Sequence, residues 1–328
     1  MDSNPANETT YYDIFNGDAD GICALHQLRM AFPHEAVEVT GVKRDIALLD
    51  KIEVKSGDYL TVLDISFDAN ANALRRHLDA GAKVAYFDHH EARTAFQHPQ
   101  LEMHWSEEKD VCTSILVSRC LHDRYVMWAI VAAFGDNLIH TANGMCTKQG
   151  LSWTDRTSLQ ELGKLLNYNA YGEQVSDLHV HPAALYKEVH RFVNPFDFIR
   201  SSPHFLALQF AYAEELTYLN DLHPLESRNK CTIYVLPDAS WSRRISGLLA
   251  NKLVEEQRDS SFAVLTPKTS GGYVVSVRSA YPELKPASRF CAAFPQGGGR
   301  QLAGGINHLD DGDIALFVQR FFDYFDVP

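Results

Sequence analysis

Hydrophobic positions in the first hundred residues come in short unbroken runs rather than in strict alternation. Tyr11 to Phe15 reads as an aromatic and β-branched strand, followed by a glycine-bearing turn and an apolar-periodic helix from Ile22 to Phe32. Val37 to Val42 predicts a second strand, Tyr59 to Ile65 (YLTVLDI) a buried third, and Lys83 to Phe87 a fourth. Asp68 is placed to cap a helix over Ala69 to Ala80 that stops at Gly81. Further helices are expected over Val111 to His122 and Tyr125 to Phe134. Strands that alternate with helices, and that are hydrophobic throughout, predict an α/β domain on a parallel, Rossmann-like sheet.

From Leu151 to Leu222 the pattern turns helical, with His, Pro and aromatic residues at the joints. A second α/β pattern begins near Cys231, with strands CTIYVLP, FAVLT and YVVSVRS and a helix from Arg244 to Glu256. The Gly271-Gly272 turn between two of these strands predicts a sheet that is at least partly antiparallel, hence mixed. The expected organisation is a first domain over 11–180, a helical connector over 181–225 and a smaller second α/β domain over 226–328. A length of 328 residues suits two domains.

Composition narrows the class. Hydrophobic residues make up 45% and charged residues 22%, which excludes a disordered chain. The longest apolar run, Val126 to Phe134, is about half of what a membrane span needs. Met1 to Thr10 lacks the basic and apolar regions of a secretory signal. The six cysteines form no CxxC pair, which fits a reducing cytoplasm and a reading of them as buried small apolar residues. A net charge of −12 argues against a protein that coats long nucleic acid. The charge is uneven, however. Residues 1–100 hold 9 Lys/Arg against 16 Asp/Glu, and residues 241–300 hold 9 against 4. An acidic half suited to cations is thus followed by a basic half suited to a small anion. Arg243, Arg244 and Arg289 are expected on a solvated face, and His179 and His181 at helix joints.

Four acidic or histidine clusters stand at or just beyond predicted element ends. They are Asn16-Gly17-Asp18-Ala19-Asp20-Gly21 after the first strand, Asp64 at the end of the third, Asp88-His89-His90 closing the fourth, and Gly135-Asp136-Asn137 at a helix end. Taken singly, each could be a turn or a helix cap. Together they point elsewhere, because open parallel sheets bind ligands at the carboxyl ends of their strands. Carboxylates gathered there need neutralising cations. Carboxylate oxygen mixed with imidazole nitrogen suits Mn²⁺, and less well Mg²⁺.

The order D-x-D-G, strand-end Asp, D-H-H and late Gly-Asp resembles the DHH phosphoesterase superfamily, named for the triplet at Asp88-His89-His90. The later part resembles the DHH-associated domain of the first subtype, through Ser246 to Asn251, Val275 to Ser279, the loop Gly297-Gly298-Gly299-Arg300 and Ala303-Gly304-Gly305. The resemblance runs from about residue 12 to 308. It implies two metal ions, with Asp18 on one, Asp20 on the other and Asp64 bridging them, while His89 and Asp136 complete the second ion's shell. His90 is then expected near the scissile phosphate, with Asp88 orienting it. Two departures stand out. Ile14 takes the place of a histidine that binds the first metal in many members, so that site is expected to be the weaker, with Asn16 or water filling the gap. Arg300 stands where the glycine loop usually ends in histidine.

By the resemblance, two cations roughly 3.5–4 Å apart activate water and stabilise the departing oxygen at phosphorus. Arg278, Gly297, Gly298, Gly299 and Arg300 are the expected substrate-binding residues, the glycines for close backbone approach and the arginines for their planar fork of donors. The implied activity is a nanoRNase-like hydrolysis of short linear oligonucleotides, above all dinucleotides, to 5′-mononucleotides in the cytoplasm. Neither long nucleic acid nor membrane is an expected partner, and a homodimer is compatible with the resemblance. Arg300 raises two options, a guanine-reading fork that would favour pGpG, or a phosphate clamp indifferent to base. The alternatives are a cyclic-dinucleotide phosphodiesterase and a nucleotide-binding regulator without catalysis.

Overall fold

Unbroken apolar strands need cover on both faces, and the first unit of the chain supplies it. The computed structural model describes residues 9–326 and contains two units, one up to Phe210 and one from Ala211. In the first lie strands β1 (Tyr11–Phe15), β2 (Val37–Val39), β3 (Tyr59–Leu63), β4 (Lys83–Asp88) and β5 (Leu101–Trp105). All pair in parallel, in the spatial order β2-β1-β3-β4-β5. Residues two apart point to one face, so Ile14, Leu60, Val62, Val84 and Tyr86 form a continuous apolar layer. Helix α2 (Phe67–Asp79) lies over that layer, contributing Phe67, Ala71, Leu74 and Leu78 at helical spacing.

On the other side, α1 (Ala19–Ala31) is buried at every position through Arg29. It lies among α3 (Thr113–Cys120), α4 (Val126–Gly135) and other helices, which is why its sequence lacks a polar face. Arg29 anchors it, pairing with Asp13 on β1 and donating to the Thr61 hydroxyl on β3 at 2.8 Å. The unit continues through α5 (Ile139–Lys148), α6 (Trp153–Ala170), α7 (Pro182–His190), α8 (Pro195–Ser201) and α9 (Pro203–Thr217), within which the division falls. His181 caps α7 by accepting from the Ala183 amide at 3.1 Å, and His179 bonds the Tyr168 hydroxyl at 2.8 Å, so both act at helix joints as expected.

In the second unit are β6 (Glu226–Arg228), β7 (Cys231–Val235), α10 (Ser240–Glu256), β8 (Ser261–Pro267), β9 (Tyr273–Arg278), α11 (Ala287–Cys291), β10 (Gly297–Gly299), β11 (Ala303–Leu309) and α12 (Ile314–Phe325). The sheet runs β10-β11-β9-β8-β7-β6 and is mixed: β7 and β8 are parallel, the other pairs antiparallel. Both outer strands are only three residues long. One face packs against Leu249, Ala250 and Leu253 of α10. The other packs against an aromatic cluster of Phe290, Phe317, Phe321, Phe322 and Phe325.

Several expectations are corrected. Ser66, rather than Asp68, caps α2, and Asp68 instead accepts from the amides of Arg93 and Thr94 at 3.1 and 2.9 Å. Strand β5 was not anticipated, because its polar Glu102 and His104 break the apolar run. Arg244 is buried rather than solvated, pairing with Glu215, and Arg243 is half-buried, pairing with Asp238. Cys120 is exposed, whereas the other five cysteines are buried. Among the described residues, no helix is long and apolar enough to cross a membrane.

Candidate metal centre

The strand order reverses beside β1, between β2 on one side and β3 on the other, and a crevice at such a point is where open α/β sheets bind ligands. The chain places Asn16 to Asp20 after β1, Asp64 after β3 and Asp88-His89-His90 at the end of β4. Asp136 joins them from the C-terminal end of α4.

Asp18 is the N-cap of α1, its carboxylate accepting from the amides of Asp20 and Gly21 at 2.9 and 3.1 Å. A Cβ on Gly21 would stand 2.1 Å from the Asn16 carbonyl oxygen, so only glycine permits this tight turn. Asp20 does unexpected work. Its two oxygens accept from the amides of Thr113 and Ser114 at 2.8 and 2.7 Å. Those are the first amides of α3, whose own N-cap position, Cys112, makes no side-chain cap bond. Asp64 adopts a left-handed backbone with φ of 58°, a conformation Asp tolerates better than most residues. Its carboxylate accepts from the Thr113 hydroxyl at 3.2 Å and stands 3.4 Å from His89 Nε2.

His89 is the hub, its Nε2 also lying 3.8 Å from Asp136 and 3.9 Å from Asp20. Asp88 is fully buried and serves the loop that carries the histidines. It accepts from the amides of His89 and His90 at 2.9 and 3.2 Å, and lies 2.6 Å from His90 Nδ1. Its second oxygen accepts from the first amide of α2, on Phe67, at 3.3 Å. The indole of Trp105 donates to the His90 carbonyl at 2.7 Å.

The electrostatics follow from this crowding. Burial, reinforced by Asp64, pushes Asp20 up to about 7. Burial and then Asp18 push Asp64 up to about 6, and burial takes Asp136 to about 6 against the pull of Lys43. Burial would lower both histidines, but Asp64, Asp20 and Asp136 raise His89 to about 10, and Asp88 with Asp64 raises His90 to about 9. Burial likewise favours a neutral Asp18, yet Lys43 outweighs it and holds that carboxyl below its usual value.

The donors present fit a hard divalent cation. Asp64, His89 and His90 each offer a ligand atom, all within 4.8 Å of one another, with the carboxylates of Asp20 and Asp136 alongside. A consequence can be measured on the metal-free protein. Asp20, Asp64, Asp136, His89 and His90 all bind protons more tightly when folded. Their stabilisation is therefore full below the unfolded values of 3.8 and 6.5, and is lost as pH rises through about 6 to about 7 for the carboxylates and about 9 to about 10 for the histidines. The metal-free melting temperature should fall by several degrees between about pH 6 and pH 9, and fall less with saturating Mn²⁺. A metal-free melting temperature that rose across that window would contradict the assignment.

The other expected residues lie in the second unit. Arg278 donates to Asn251 Oδ1 at 3.0 and 3.1 Å. Arg300 borders a cavity of about 630 Å³ lined also by Pro282, Glu283, Ser288, Gly299, Gln301 and Leu302. Gly297 and Gly299 have packing reasons to be glycine. A Cβ on the first would meet the Cys291 carbonyl at 1.9 Å, and Gly299 has φ of 130° with Ala303 oxygen 2.6 Å from its Cβ position. Gly298 alone of the three faces open space.

Three residues escaped the sequence reading: Lys43, which pairs with Asp18, Thr113, which bonds Asp64, and Asn167, which accepts from Lys43 at 3.1 Å. No protein-family model and no curated protein matches the sequence. Solved structures do match. A DHH-domain protein described as a member of the s1p family of ribosomal proteins superposes with a TM-score of 0.67 at 13% identity, over 96% of this chain and 86% of the other. The exonuclease RecJ bound to manganese gives 0.58 at 15%, over 97% and 91%. The pGpG-specific phosphodiesterase PggH from Vibrio cholerae gives 0.54 at 12%, over 95% and 99%. The chain shares the fold of these three proteins, the first of which is described as a DHH domain.

Proposed function

We infer, from the fold shared with DHH-domain proteins, that the chain is a divalent-metal-dependent phosphodiesterase acting on short linear oligonucleotides, dinucleotides foremost. The observation that carries this reading is the convergence on His89 Nε2 of Asp64, Asp136 and Asp20, from four separate stretches of chain, within 3.4–3.9 Å. Asp64, His89, Asp20 and Asp136 would hold the metal, Mn²⁺ before Mg²⁺. When bound, a divalent cation lowers the pKa of water and offsets charge developing at phosphorus.

The rest of the chemistry belongs to the chain. The Asp88 carboxylate fixes the half-exposed His90 ring through Nδ1, leaving Nε2 for the substrate. In the metal-free chain Asp88 and Asp64 raise His90 to about 9, and its position beside the acidic cluster suits it to give a proton to a leaving oxygen. Two of the similar proteins, an exonuclease and a pGpG-specific phosphodiesterase, support a nucleic-acid phosphodiester as the substrate class. The chain's acidity supports a small substrate over a long one. Arg300, exposed beside the cavity, is the residue proposed to grip a terminal phosphate or a guanine.

Turnover on a panel of pGpG, pApA, a ten-residue oligomer and a cyclic dinucleotide, with and without Mn²⁺, tests the reading. Linear dinucleotides should yield mononucleotides only with metal, at a kcat/KM roughly tenfold or more above the ten-residue oligomer. Equal rates on both lengths would mark an exonuclease, and preferential cyclic-dinucleotide cleavage the cyclic enzyme. Binding without turnover would mark a regulator.

A further inference from the structure

Resting on the metal-dependent reading above, we propose that the ammonium group of Lys43 occupies the place of one of the two expected cations, so that the site takes a single divalent ion. Lys43 Nζ pairs with Asp18, stands 3.6 Å from Asp136 Oδ1 and donates to Asn167 Oδ1 at 3.1 Å. It also lies 5.9 Å from the centre of the Tyr171 ring. Asp18 is the carboxylate that the first ion would need, and here it already has a positive partner.

The position is built, not incidental. The Lys43 amide donates to the Ala170 carbonyl at 2.9 Å, at the end of α6, and its own carbonyl accepts from Asn16 Nδ2 at 3.3 Å. The Asn16 side-chain oxygen meanwhile accepts from the Asp18 amide at 3.3 Å. Asn16 therefore ties the lysine's backbone to the turn that holds Asp18, and both ends of its amide are engaged in that task. The ligand loss and the cation gain coincide at one place. Ile14 is fully buried in the apolar layer with Leu60 and Val62, so no imidazole from β1 reaches Asp18.

The centre is thereby divided. Asp18 and Lys43 form one neutral pair, while Asp64, Asp20 and Asp136 gathered on His89 remain a donor group for one ion. A second dication beside a fixed ammonium meets direct repulsion in a poorly hydrated setting, which weakens it steeply. The arrangement retains two positive centres, one metallic and one covalently fixed, and the Lys43 N–H not used by Asp18 or Asn167 is the one that would meet a phosphate oxygen.

Manganese counting tests this without reference to activity. Equilibrium dialysis of the intact wild-type protein against Mn²⁺, with metal analysis, should give one tightly held ion per chain and the electron paramagnetic resonance spectrum of isolated Mn²⁺. Lys43→Met should admit a second ion roughly tenfold or more tighter than the wild type does, with an exchange-coupled spectrum. Lys43→Arg should restore the single-ion count. Two ions of comparable affinity with a coupled spectrum in the wild type would overturn the proposal and leave the metal-dependent function standing. So would a folded Lys43→Met protein that still holds one ion. Failure of the wild type to bind Mn²⁺ at all would overturn both. The wild-type count needs no variant, so a misfolded substitution does not blunt the test.

Discussion

Asp64→Asn should lower kcat by about a hundred- to a thousandfold while leaving the metal-free protein at least as stable as its parent. Asparagine keeps the shape and tolerates the left-handed backbone that Asp64 adopts, so the loop after β3 is preserved. What disappears is a carboxylate that burial and Asp18 already push up to about 6. Removing it relieves a cost of folding and takes the negative charge away from the side chain facing His89. Metal affinity should drop at least tenfold. Turnover, Mn²⁺ titration and thermal melting on one preparation decide the matter. A variant with full turnover would remove Asp64 from the metal site, and a strongly destabilised one would show that its charge holds the fold.

Asp20→Ala should do the reverse to stability. Its oxygens accept from two amides at the start of α3, and nothing else in the turn replaces them. Alanine would leave both buried donors unpaired and α3 uncapped, costing about 2–4 kcal/mol. Urea unfolding of the metal-free variant measures the loss. Less than about 0.5 kcal/mol would mean that α3 finds another cap, and that Asp20 is dispensable to the scaffold. The contrast between these neighbouring carboxylates separates a side chain kept for chemistry from one that also builds the helix it faces.

The strand ends and their acidic clusters were legible because each is local: an apolar run, then Asp or His within a few residues. Lys43 was not, since its partners Asp18 and Asn167 lie 25 and 124 residues away and its surrounding sequence carries no periodic signal. Asp20 could be read as a ligand but not as a cap for α3, because Thr113 is 93 residues distant. The error at Asp68 has a nearer cause. The left-handed turn at Asp64 brings the chain into helix early, so Ser66 takes the cap and Asp68 is left inside the first turn. Arg244 misled because a cation on a helix usually snorkels, whereas here Glu215 is buried with it. In the second unit the glycines were visible, but two of three answer to local packing that only the hairpin of β10 and β11 reveals.

The short outer strands of the second sheet bear on how the native protein behaves at high concentration. An exposed sheet edge is a template on which another chain can add, and long flat edges nucleate aggregates. Here β6 and β10 each offer three residues, and β6 begins and ends with the charged Glu226 and Arg228. Neither presents enough consecutive outward amides to seed a growing ladder. Colloidal failure through the second unit should therefore trace to unfolded molecules exposing its phenylalanine-rich core, rather than to native copies joining along this sheet's edges.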